Sequence, residues 1–165
     1  MGRSEDLERI ALQEKELALP RLDAEMAWTL GSKLRAMAAE RKLAVVIDVR
    51  RFSQPLFYAA MEGTTPDNVE WVRRKSNVVA RFHRSSYAVG LHEQQKGQTI
   101  YESQGLSLAD YATHGGSFPL SVQGAGVVGS VTVSGLPMRQ DHELVIEALC
   151  AVLGRSYETS KLSPE

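Results

Sequence analysis

Met26, Leu30, Leu34 and Met37, with Ala27 and Ala38 beside them, fall on one helical face, and Asp23 just ahead can cap the helix, which runs to about Arg41. Leu7, Ile10 and Ala11 carry a similar period in an amphipathic opening helix over residues 6–15, and "LALPRL" after it reads as extended. "LAVVIDV" and "QPLFYAAM", separated by "RRFS", are β-rich runs that predict an antiparallel pair. "GTTPDN" then opens a helix, with Thr65 as N-cap, Pro66 in the first helical position and Asp67 against the positive end of the helix dipole. Its apolar face is Trp71, Val72, Val78, Val79 and Phe82 and its polar stripe is Glu70, Arg74, Asn77 and Arg81, while Lys75 lies inside the apolar arc. "SSYAVGLHEQQKG" offers a serine cap and Gly97 as a C-cap, and Ser107 to Asp110 have capping-box spacing before a short helix that ends at Gly115. Phe118, Leu120 and Val122 alternate with polar or imino residues, and "GAG" turns the chain into Val127, Val131 and Val133 of a partner strand. The last element, "DHELVIEALCAVLG", is apolar nearly all round, so it is either deeply buried or packed on another subunit, with Asp141 as its N-cap. The order is helix, short strand, helix, two strands, helix, helical connection, two strands, helix. It suits an α+β layer: one antiparallel sheet with helices packed on it.

Composition narrows the class. At 165 residues and 43% hydrophobic content the chain has the size of one domain, with a core over about residues 5–154 and a flexible tail over 155–165. Lys plus Arg number 19 and Asp plus Glu 20, a net charge of −1 that gives no footprint for a nucleic-acid partner. The charged opening residues lack a signal peptide's apolar run, and no stretch has the length of a membrane span, so a cytoplasmic protein without membrane contact is expected. Cys150 is the single cysteine, which excludes an internal disulfide and CxxC patterns.

"GTTPDNVEWVRRKSNVVARFHRSSYAVG", followed by "YATHGGSFPLSVQGAGVVGSVTVSGLPMRQDHELVIEAL", resembles an uncharacterised protein family of the haem-degrading-domain superfamily. Relatives in that superfamily include haem-binding proteins and the C-terminal domain of a cobalamin adenosyltransferase. The matching positions are Gly115, Gly116, Pro119, Gly126, Gly129, Ser134, Gly135 and Asp141. The resemblance implies a profilin-like fold with a central antiparallel sheet of about five strands, assembled into a homo-oligomer, and haem as a possible ligand. It implies no proven reaction, since fold and function are separate inferences.

His114, in "HGGSFP", is the leading candidate: a haem ligand or acid/base held at a rigid turn by Gly115 and Gly116, or a helix cap donating to the last carbonyls. His142, after the expected cap Asp141, is read as facing solvent or a neighbouring subunit. His83 and His92 stand at no metal-ligand spacing, so no metal site is expected. Arg74, Lys75 and Arg81 form a second constellation. Lys75 either snorkels to the edge of the apolar face or, with Arg81, lines a pocket and pairs with ligand carboxylates or phosphates such as a haem propionate. Gly124, Gly126 and Gly129 spell GxGxxG, but a strand follows where a dinucleotide fingerprint needs a helix. Ser134-Gly135 lacks the GxSxG elbow of a hydrolase, leaving Ser134 as a lining residue. The favoured reading is a small-ligand binding module built from His114, Gly115, Gly116, Lys75, Arg81 and Ser134. The alternatives are a non-enzymatic protein–protein adaptor and an enzyme with His114 as acid/base.

Overall fold

Alternating residues of the central strands give the sheet one apolar and one polar face. In a computed structural model describing residues 2–164, the elements are α1 (Gly2–Glu16), α2 (Ala24–Glu40), β1 (Val46–Arg51), β2 (Gln54–Ala60), α3 (Pro66–Phe82), α4 (Ser86–Gln95), α5 (Ile100–Gln104), β3 (Ser117–Val122), β4 (Gly126–Ser134), α6 (Met138–Leu153) and α7 (Tyr157–Ser160). The strands form one antiparallel sheet in the order β2-β1-β4-β3. Ile47 and Val49 of β1, Phe57 of β2, Phe118 and Leu120 of β3, and Val131 and Val133 of β4 point to one side. There they meet Leu30 and Leu34 of α2 and Val145 and Leu149 of α6 in the main core. The residues between them, Asp48, Ser117, Ser130, Thr132 and Ser134, are buried on the opposite side, under α3. They are polar, and several are satisfied locally: Asp48 takes a forked ion pair from Arg50 at 2.6 and 2.9 Å, and the Ser117 and Thr132 hydroxyls bond each other at 2.8 Å.

Helix caps stand where the residue chemistry places them. Asp23 accepts from the Met26 amide at 2.8 Å at the start of α2, and Asn68 accepts from the Thr65 amide at 2.9 Å at the start of α3. The sheet has four strands, so the expectation of about five is corrected. The stretch read as extended, residues 17–22, contributes a single parallel bridge from Leu19 to Val122. Leu17 still bonds back to Gln13 as the end of a helix, and Pro20 has no N–H, so Leu19 alone can pair on both sides. The helix expected over 107–114 is likewise absent, with only a turn at 108–110, and the short helix is α5, capped by Thr99 and Glu102 and stopped by Gly105 in the left-handed conformation.

Two corrections concern α6. Its N-cap is Pro137, not Asp141, which places Asp141 and His142 inside the first turns. Its apolar circumference is taken up by α2, the sheet and the C-terminal stretch of its own chain. Residues near the C-terminus, within the segment read as a tail, lie against α1 and α6: Leu162 is buried, and Gln13 Nε2 donates to the Ser160 carbonyl at 2.8 Å.

Candidate functional site

The first turns of α3 and α6 and the loops before β3 and after β4 enclose a half-open cavity of about 240 Å³. Asp67, Asn68 and Trp71 of α3, His114 and Gly115, Ser134 to Leu136, and Met138 line it, and its floor is the pair Lys75–Asp141. Of the residues singled out in the sequence, Lys75, His114, Gly115 and Ser134 therefore come together. Gly116 stands directly behind them. It holds φ +132, and a β-carbon there would be 2.6 Å from the Lys75 ammonium and would collide with the Val133 carbonyl. Arg81 is not among the lining residues. It is exposed at the end of α3, its guanidinium 5.8 Å from the Phe82 ring.

Lys75 is 2% exposed and does not snorkel. Its ammonium donates to the Gly115 carbonyl at 3.0 Å, the Val133 carbonyl at 2.9 Å and Asp141 Oδ2 at 3.1 Å, so all three protons are used. Asp141 in turn accepts from the Leu136 amide at 2.9 Å and the Gly135 amide at 3.4 Å. Burial pushes the Lys75 ammonium below its ordinary range and the Asp141 carboxyl above its own, and each charge opposes the shift of the other. One ion pair thus ties α3, β4, the 115–116 turn and α6 together at the cavity floor.

His114 stands at the mouth, exposed on one side, its ring edge-on to Trp71 with centroids 4.8 Å apart and planes at 79°. There is no helix before it to cap. Neither ring nitrogen is engaged by another described residue. Partial desolvation, with the positive charges of Lys75 and Arg74 adding to it, holds the imidazole below its usual pKa, which favours the neutral form that can donate a lone pair. The Ser134 hydroxyl, on a residue 4% exposed, also lines the cavity without a partner among the described residues.

His142 lies elsewhere. It is fully buried between Tyr87 and Phe118, and Gln13 Oε1 faces its Nε2 at 2.8 Å. His83 stacks on Phe52 at the end of α3, and His92 is in the last turn of α4. Among the described residues no group of three or more His, Cys, Asp or Glu is placed to hold a metal ion. No helix among them is long and apolar enough to cross a membrane.

Residues 22–150, the sheet and all of the cavity-lining residues included, match the family described as haem degrading protein HbpS-like, and the chain belongs to that family. It is 64% identical over 158 residues to a UPF0303 protein of Burkholderia thailandensis, with 96% of each chain covered. Among solved structures it is similar to the Ybr137w protein, with a TM-score of 0.82 and 27% identity over 90% of this chain and 88% of that one. It shares its fold with the PduOC:heme complex at a TM-score of 0.68 and 17% identity, over 79% of this chain and 94% of that one.

Two of the lining residues bear on the group that these names carry. A porphyrin needs a flat apolar wall, an unprotonated imidazole facing its metal, and room for only part of its body. Against those needs the lining offers the Trp71 ring and an imidazole held toward its neutral form, while a cavity of about 240 Å³ is below the roughly 300–1,000 Å³ of a ligand-enclosing pocket.

Proposed function

We propose that this chain is a binding module for a flat, largely apolar ligand, haem being the candidate, seated at the mouth of the cavity with His114 turned toward the metal. The observation that carries the reading is the His114 ring itself: neutral by preference, with both nitrogens open, and fixed against Trp71 rather than hydrogen-bonded into the fold. Haem would supply an iron centre that accepts an imidazole nitrogen. Trp71 orients the ring, while Ser134 and the turn at Gly115 and Gly116 shape the inner end of the seat. Binding is favoured over catalysis because Lys75 and Asp141 neutralise one another at the floor. The reading includes a homo-oligomer as the working unit: Trp28, packed edge-on to Phe57 of β2, is 64% exposed, an aromatic surface that a second copy would cover.

Absorbance titration of the purified protein with haem, wild type beside His114→Ala, tests the reading. A saturable Soret band that shifts and weakens in the variant supports it. Saturable binding with an identical spectrum removes His114 as the ligand, and no Soret change in either protein sinks haem binding altogether.

A further inference from the structure

An acidic ligand at this cavity needs a cation with donors to spare, and the obvious lysine has none. Lys75 uses every ammonium proton inside the chain and is 2% exposed. Arg73 is engaged by Glu70, Asp110 and the Ala109 carbonyl, and Arg81 sits apart on Phe82. Arg74 differs from all three. Three residues after Trp71, and so its neighbour across one helical turn, it holds its guanidinium 4.8 Å from the centroid of the Trp71 ring.

No carboxylate or carbonyl among the described residues pairs with the Arg74 side chain. Its Nε is buried without a partner, whereas neither Nη is, so the outer edge of the guanidinium keeps contact with solvent. Its charge is felt at the cavity, where it helps to hold His114 neutral. His114 and Arg74 each approach the Trp71 ring to 4.8 Å. Arg74 is not itself among the residues lining the cavity, so the ligand it serves is one too large for about 240 Å³, whose ring extends past Trp71 toward the guanidinium.

We propose that Arg74 is the carboxylate-binding residue of this site, its two Nη groups forming a fork for an acidic edge substituent of a flat ligand whose ring lies on Trp71. This rests on the ligand reading above and deepens it: the substrate class is an aromatic macrocycle bearing carboxylates, not a neutral one.

Metal-free protoporphyrin separates this role from that of His114, because it has carboxylates and no iron. Protoporphyrin and its dimethyl ester are titrated in the same detergent-containing buffer, with quenching of Trp71 fluorescence read in a Trp28→Phe background. Wild type is expected to bind the diacid about tenfold or more tighter than the ester, the value of one charge-assisted bond. Arg74→Gln should level the two and Arg74→Lys keep part of the preference, while His114→Ala leaves it intact. Equal binding of both porphyrins by wild type, or a preference that survives Arg74→Gln, overturns the Arg74 assignment and leaves the ligand reading standing. Failure of either porphyrin to quench Trp71 overturns both.

Discussion

His142 makes the fold acid-sensitive in a way that can be worked out from its contacts. Gln13 donates its Nε2 protons toward the Ser160 carbonyl, so its Oε1 faces the ring and the imidazole must carry its proton on Nε2. Nδ1 is buried without a partner, and a proton placed there would find no acceptor. Burial, with the charge of Arg139 adding to it, lowers the His142 pKa from 6.5 to about 3. The unfolded chain therefore binds the proton more readily than the folded one. The stabilisation is complete above the unfolded pKa and is lost as pH falls from there toward the folded value. At about pH 5 the loss is about 2 kcal/mol, a fall of about 1 M in the urea midpoint for a chain of this size. His142→Gln retains a donor for Gln13 but cannot titrate. Urea unfolding of both proteins at about pH 7 and about pH 5 should show wild type losing about 2 kcal/mol more than the variant. Equal losses would mean that His142 is hydrated or partnered in solution and would refute the reasoning.

Lys75→Met strands the Asp141 carboxylate in the core, and a loss of about 3–5 kcal/mol is expected in urea unfolding, part of it returned when Asp141→Asn is added, because the amide still accepts from Leu136. Gly116→Ala forces a side chain into φ +132 and against the Val133 carbonyl of β4, which cannot swing aside, so thermal unfolding should show at least about 2 kcal/mol lost.

The parts of the fold legible in the sequence were those with local causes. Asp23, Thr65-Pro66 and the 123–126 turn act on neighbours within a few residues, and the structure repeats them. Ser107–Asp110 has the same spacing as a working cap but no helix behind it. The working box is Thr99–Glu102, which has Gly105 at the right distance to stop a helix, a second cue available in the same stretch. A cap at Asp141 would leave His142 at the helix end facing outward, whereas its period with Val145 and Leu149, all buried, marks it as an inner residue of α6. Lys75 stood out in the apolar arc, but which acceptors saturate it depends on residues 40, 58 and 66 positions away, beyond any local pattern. Arg74 was visible beside Trp71. That its outer nitrogens meet no carboxylate among the described residues depends on where the carboxylates go, which is a property of the folded chain.

The two rims of the sheet differ. Along β3, Ser86 Oγ serves the Ser117 amide and carbonyl, Pro119 has no amide to offer, and Leu19 bonds the Ser121 carbonyl. Along β2 no described strand pairs with the outer backbone. Strand addition thus has one docking side, and a sheet extended by a second copy through β2 would present only finished rims at both ends. Growth of that kind would stop at two chains, because neither finished rim offers a further strand a row of open backbone groups.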